Sequence, residues 1–376
     1  MASCSGRILA QSASRAYLRP VVLDLYADAD TQACSSAVAA IPADGMGFDQ
    51  AALLDCATRL APPAHYPLIY GSGVDKSPDL LEKLAAGREL IGNTPDVQRL
   101  LRSPQDFFSL LDDLEIEHPE VRFERPLNTD NWLIKAGCGE GGKRVRFCAQ
   151  ESAEADEYFQ RRLPGDALSV LFLADGRHAQ IIGFNTQWTV ATASRPFLFG
   201  GAINRASLTP LQRNRVTTYV EKLVSALALR GLNSLDFMMD GSNCKILELN
   251  GRPSATLCLY DADFPEGLLA AHIWACRGSL DATTPHQSQR VRAFRVFFAP
   301  SPARLSAEDA LPDWCADRPV NPADVIPAQP FCTITAEGQT IRETQELLQA
   351  RENWLNHFIF QPNHCPENRP CNPMSA

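Results

Sequence analysis

No run of about 18 apolar residues occurs in the 376-residue chain, so no transmembrane helix is expected. The first residues lack a basic segment followed by a long apolar core, so no signal peptide is expected either. There is no stripe of lysine and arginine, and the formal net charge is −9, which argues against a nucleic-acid partner. The twelve cysteines contain no tight Cys-x-x-Cys pair, and no internal repeat runs along the chain. Without a secretory leader, reduced thiols in a cytoplasm are the expectation, with most cysteines acting as small buried hydrophobes. Hydrophobic residues make up 45% of the chain, enough for the roughly two or three cores that this length implies. These limits agree with a soluble enzyme, with a cytoplasmic location as the expectation.

What is present divides into three parts and a tail. Gly6-Arg-Ile-Leu-Ala-Gln-Ser-Ala has a small-residue helix pattern. Pro20-Val-Val-Leu-Asp-Leu-Tyr is a near-continuous apolar run, the mark of a buried parallel strand. Pro67-Leu-Ile-Tyr-Gly71-Ser72-Gly73 reads as another strand, ending in a glycine turn. This alternation predicts a small open parallel α/β domain over 1–102. Gly71 and Ser72 fall at a strand's C-terminal end, where open sheets bind ligands, and suit a plain strand–helix turn equally.

The middle part is expected over 103–278. It opens with a helix whose N-cap is Ser103 and whose first position is Pro104. A second helix is predicted from Leu211 to Arg230, with Val216, Val220, Leu223, Val224 and Leu227 as its apolar stripe and Gly231 as its end. The part over 279–362 has a strand from Arg290 to Phe298, another near Pro330, and a charged helix from Ile341 to about Phe358. It reads as a small α+β appendage without visible chemistry. Residues 363–376, Pro/Asn-rich and including His364, Cys365 and Cys371, are expected as a flexible tail. Those three side chains are metal-donor types, without the spacing of a zinc site.

Asp236, Glu248, Asn250 and Arg252 share one short stretch, with Glu-x-Asn-x-Arg starting twelve residues after the aspartate. Hard oxygen ligands of this kind suit Mg²⁺ bound to a triphosphate. Two apolar-rich runs flank Asp240-Gly241-Ser242-Asn243, which predicts a β-hairpin. A loop of Gly241 to Asn243 would set Asp236 opposite Glu248 on one face. A four-residue loop would put the two acids on opposite faces.

Upstream, the strand Trp132-Leu-Ile-Lys135 runs into Gly137, Gly139, Gly141 and Gly142 and leaves through Lys143-Arg-Val145, with Val145 and Phe147 alternating with basic residues. Glycines let backbone N–H groups wrap phosphate oxygens, and Lys135 can set its ammonium against them. Gly137 to Lys143 also spells G-x-x-x-x-G-K, but Arg144 stands where a P-loop needs Ser or Thr. The loop moreover leads into a strand rather than a helix. A third stretch, Gln160-Arg-Arg162-Leu163-Pro-Gly165, precedes a strand that ends in Asp175-Gly176.

Together these stretches resemble the ATP-grasp superfamily, and within it the predicted ATP-dependent carboligase branch related to biotin carboxylase and tyramine–glutamate ligase. The resemblance covers most of residues 5 to 360. It implies an α/β chain with an α+β ATP-grasp fold of two subdomains behind the N-terminal domain. It implies ATP and Mg²⁺, with Mn²⁺ as a substitute, and assigns the metal to Asp236, Glu248 and Asn250. Lys135, Gly137, Gly139, Gly141 and Gly142 would hold phosphates under a closing loop, and Gln160, Arg162 and Leu163 would meet the adenine edge. Arg252 and Lys135 would stabilise charge on the transferring phosphoryl group. Asn185, Gln187, Arg195 and Arg205 are the candidates for facing the acceptor.

Two positions depart from the family pattern. Gln160 stands at the usual Glu, and Arg102 stands where most members place a nucleotide-contacting lysine. The implied reaction joins a carboxylic acid to an amine through an acylphosphate. Glutamate or a precursor in one-carbon coenzyme biosynthesis is the candidate acid. A bicarbonate-using carboxylase and a non-catalytic nucleotide sensor are the alternatives. Homodimers are common among such enzymes, and nothing in this sequence marks an interface.

Overall fold

The strand Asp166–Asp175 is covered on both faces, which accounts for its long apolar run. Leu168, Val170, Phe172 and Ala174 enter one core with the helix Pro210–Leu227. Leu171 and Leu173 point the other way, into a core with the helix Gly267–Cys276. This strand lies inside an antiparallel eight-stranded sheet. Its order is Asn243–Asn250, Arg230–Asp240, Asp166–Asp175, Ala179–Val190, Leu198–Ile203, Val291–Phe298, Pro330–Gly338 and Cys315–Ala316. The structure, a computed structural model, describes residues 1–45, 47–137, 139–148, 153–192, 195–281 and 289–360. The expected tail with His364, Cys365 and Cys371 lies outside the described residues.

A smaller antiparallel sheet of four strands stands apart, in the order Val121–Arg122, Glu157–Arg161, Trp132–Ala136 and Val145–Phe147. The glycine stretch therefore connects two paired strands, and the segment after it is a strand.

The N-terminal part is an open parallel sheet. Val21–Asp24 pairs with Ala37–Ala40, and Leu68–Ile69 pairs with Leu90–Ile91. Ala2 bridges both Leu23 and Tyr70, so the first residues form the middle of this sheet. That segment was not legible as a strand, because Ala2-Ser3-Cys4 carries no alternation and no bulky apolar side chain. The helices Pro95–Arg102 and Pro104–Asp113 follow, and Ser103 ends the first and caps the second, its hydroxyl accepting from the Asp106 N–H at 3.4 Å.

Two expectations change. The part after 279 does not form a layer of its own. Its strand Val291–Phe298 hydrogen-bonds to Leu198–Ile203, so three of its strands extend the large sheet, covered by the helix Ile341–Ile359. The helix expected to run to Arg230 ends at Leu227. Its start is held by a capping box between Thr209 and Gln212, and its end by Ala228 in the left-handed region, at φ +49°. Gly231 has another duty, since a Cβ there would lie 2.3 Å from the His272 ring.

Ala228 is exposed, so exchanging it costs no packing. Ala228→Gly should stabilise the fold by about 0.5–1 kcal/mol by relieving its left-handed strain. A shift of the denaturant midpoint at unchanged slope would show this.

Candidate active site

The hairpin of Arg230–Asp240 and Asn243–Asn250 turns through two residues, Gly241 and Ser242, since Asp240 pairs with Asn243. That register carried through would set Asp236 against Leu247 and send Glu248 to the far face. A bulge intervenes: Phe237 pairs with Ile246, but Asp236 pairs with Glu248. The acids therefore face each other, as a three-residue loop would have placed them, through a different device. The same cross-strand row continues from Asp236 to Ser169 and on to Asn185.

Asp236 is half-buried, Glu248 is exposed toward the cavity, and their charges repel. Burial and the Glu248 charge push the Asp236 carboxyl well above the ordinary aspartate value. Burial also works against an ionised Glu248, but Lys135, the bond with Asp236, Arg102 and Asn250 together hold it below the ordinary value. The neighbouring charge thus makes it harder to ionise both acids together than either one alone. Gln187 Nε2 donates to Asp236 Oδ1 at 3.1 Å. Asn250 Nδ2 donates to Asp236 Oδ2 at 3.3 Å and to Glu248 Oε1 at 3.4 Å, while Arg252 Nη2 donates to Asn250 Oδ1 at 3.2 Å.

Such a pair is a fit for a divalent cation, which would relieve the repulsion. Asn250 would then turn its oxygen, now facing Arg252, toward the ion. Among the described residues no group of three or more His, Cys, Asp or Glu side chains gathers as a metal cage. A cation here would draw its remaining oxygens from the ligand it accompanies, as Mg²⁺ does with phosphates.

The small sheet faces this hairpin across a cavity of about 560 Å³. Lys135 pairs with Tyr158 in register, and its ammonium lies 6.0 Å from the tyrosine ring centre. Burial disfavours the charge, but Tyr158, Glu248 and Asp236 outweigh it and raise the lysine pKa. The cavity's apolar walls are Leu133 and Val145 on the small sheet, with Ala167, Met238 and Leu247 on the large one. These five escaped sequence reading, since apolar strand residues facing a ligand look like core. Val145, alternating with charges, was the nearest signal.

In the glycine stretch, Gly142 has φ +72° and sits so close to Phe197 that a Cβ would fall 1.7 Å from the carbonyl oxygen. Gly141 O accepts from the Phe199 N–H at 2.9 Å. These contacts stitch the loop to the large sheet beside Leu198–Ile203. The N–H groups of Gly137 and Gly139 are already donated to the Asp156 and Ala136 carbonyls.

Gln160 lines the cavity and is 2% exposed, yet its Nε2 has no acceptor. A buried amide in this state fits a ligand that brings one, such as a nitrogen on a purine edge. Arg162 and Leu163 line the cavity. The Arg162 N–H is donated to the Asn131 carbonyl at 2.7 Å, and its guanidinium lies over Phe147.

Of the acceptor-facing candidates, Gln187 and Ser72 line the cavity. Gly71 lies beneath, packed on Ser3. Asn185 is on the right row but is sealed by Tyr260, whose hydroxyl donates to Asn185 Oδ1 at 2.6 Å, while its amide donates to Ser169. Arg205 spends its guanidinium on the carbonyls of Asn204, Gln289 and Arg290. Arg195 is exposed in a turn with Thr192. These last three are not brought to the cavity. Arg102 points to Asp75, with Nη2 2.6 Å from Oδ2, and Arg252 Nε reaches the same oxygen at 3.1 Å.

Two sheets close on one cavity, with paired carboxylates on one and a lysine and glycine loop on the other. Residues 106–256 match the family model of the ATP-grasp domain. No curated protein matches the chain by sequence. Its fold is similar to the biotin carboxylase domain of Hydrogenobacter thermophilus 2-oxoglutarate carboxylase, a dimer solved with MgADP, ADP and bicarbonate (TM-score 0.70, 12% identity, covering 93% of this chain and 88% of that one). It is similar to carboxyaminoimidazole ribonucleotide synthase from Aspergillus clavatus, solved with ATP (TM-score 0.68, 12% identity, 95% and 98% covered). It is also similar to L-amino acid ligase from Bacillus licheniformis (TM-score 0.67, 13% identity, 94% and 96% covered).

The raised Asp236 pKa has a stability consequence. Its neutral form is favoured by folding, so the penalty is absent below the unfolded value of about 4 and grows as pH rises through the folded value. Asp236→Asn should therefore raise the melting temperature of the cation-free protein at neutral pH, with the gain shrinking toward pH of about 4. Melting curves over that range, with and without Mg²⁺, test this, and the variant should lose any stabilisation by the ion.

Proposed function

We propose that the chain is an ATP-dependent carboxylate–amine ligase. The observation that carries this reading is the convergence of Asp236 and Glu248 from one sheet and Lys135 from the other on a single cavity. In the reading, a substrate carboxylate oxygen attacks the γ-phosphorus of ATP and the bond to the bridging oxygen breaks, releasing ADP. An amine nitrogen then attacks the acyl carbon of the resulting acylphosphate, inorganic phosphate departs, and the nitrogen loses a proton. Bound Mg²⁺ would supply charge neutralisation at the phosphates, held by Asp236, Glu248 and Asn250.

The remaining work is positioning. Leu133 and Val145 oppose Met238 and Leu247 as walls for a planar base, and Gln160 offers it a donor. Lys135, steadied by Tyr158, faces the phosphates, with the N–H groups from Glu140 to Gly142 over them. The loop excludes water from the acylphosphate. Glutamate and one-carbon coenzyme precursors are the acids to try first. Among the described residues no helix is long and apolar enough to cross a membrane, and the nine described cysteines are free thiols. Both support placing the enzyme in the cytoplasm. A homodimer, as the biotin carboxylase domain above forms, belongs to the same reading.

ADP release from MgATP across acid and amine mixtures tests the proposal. Release should depend on one acid and one amine, and should fall about 10²–10³-fold in Glu248→Gln and in Lys135→Met. A requirement for bicarbonate in place of the acid would make the chain a carboxylase. Binding without ADP release in any mixture would make it a sensor.

A further inference from the structure

Of the turn over residues 72–76, Ser72 lines the cavity, and Asp75 and Lys76 pair with Arg252 and Glu140, which also line it. Asp75 is 1% exposed and carries a full set of partners. Its Oδ1 accepts from the Gly73 N–H at 2.9 Å, and its Oδ2 accepts from Arg102 Nη2 at 2.6 Å and Arg252 Nε at 3.1 Å. Arg252 is held on three sides, because Nη1 also donates to the Pro253 carbonyl and Nη2 to Asn250 Oδ1. Asp75 is its one ion pair among the described residues, and the one partner outside its own segment. The next residue, Lys76, pairs with Glu140 at 2.6 Å, with the lysine 13% and the glutamate 23% exposed. Glu140 is the non-glycine residue at the tip of the glycine stretch. The Cys4 thiol also points to it at 4.0 Å.

We propose that Asp75 is a positioning residue that fixes Arg252 at the phosphate end of the cavity, and that Lys76 beside it holds the glycine loop down through Glu140. This rests on the nucleotide reading above. One rigid turn thus couples the orientation of Arg252 to the closed position of the loop. A single buried carboxylate between two guanidinium groups has a further effect: it lowers their pull on an incoming anion while setting the direction of one of them. Asp75→Asn therefore leaves nucleotide affinity unchanged or tighter, yet lowers turnover. A merely structural residue would lower both.

The test has two arms. In the nucleotide-free protein, amide exchange over residues 139–145 should rise in Lys76→Glu and in Glu140→Lys, and return toward wild type in the charge-swapped double variant. With Mg²⁺ and a fluorescent ATP analogue, each single variant should release the nucleotide about tenfold faster, and the swap should recover most of that factor. Asp75→Asn should keep the analogue's affinity while ADP release falls about a hundredfold. A swap no better than the singles overturns the role of Lys76, and parallel loss of affinity and turnover in Asp75→Asn overturns that of Asp75. If the wild type binds no analogue, the nucleotide reading fails and takes Asp75's role with it, while the exchange arm still decides the loop contact.

Discussion

Two carboxylates facing each other across a hairpin are the constraint around which the rest of the site is arranged. Asp236 and Glu248 reach this position because one extra residue, Leu247, interrupts an otherwise regular ladder. Left alone, the pair opposes folding. Gln187 and Asn250 donate to it, and Lys135 lies across the cavity to bias which acid stays ionised. None of these sets a cation directly between the two carboxylates, which is the position the proposed Mg²⁺ would take.

The second sheet has meaning only against the first. Lys135, Tyr158, Leu133 and Gln160 share one face by cross-strand register, so the charge, the ring, an apolar wall and the unsatisfied amide are presented together. The glycine stretch between Ala136 and Val145 lets the two sheets touch, because Gly142 passes closer to Phe197 than any side chain would allow. The N-terminal sheet closes the third side through the turn that carries Ser72, Asp75 and Lys76.

Local chemistry was legible in the sequence. The loop between two strands and the Ser103 cap follow from spacing and residue type, and the structure has both; Asp236 and Glu248 face each other as expected, through a bulge rather than a three-residue loop. Where one residue's geometry decided the outcome, the sequence was mute. The bulge at Leu247 and the left-handed Ala228 have no compositional mark. Asn185 lies in the right row, but Tyr260, distant in sequence, covers it. Arg205 looked like a carboxylate binder, yet backbone carbonyls near residue 290 claim it. Asp75 was invisible as a site residue because its partner Arg252 is 177 positions away, and burial of such long-range pairs leaves no local pattern.

The continuity of the large sheet beyond residue 278 bears on how this chain can be dissected. The strand Leu198–Ile203 is an interior strand only because Val291–Phe298 lies beside it. A chain cut at the apparent domain boundary would leave Leu198–Ile203 with a row of unpaired N–H and C=O groups and an apolar flank. Such an edge recruits other chains into the ladder and favours aggregates over a soluble fragment. The C-terminal strands, though far from the chemistry, are what allow the catalytic half to exist as a single molecule.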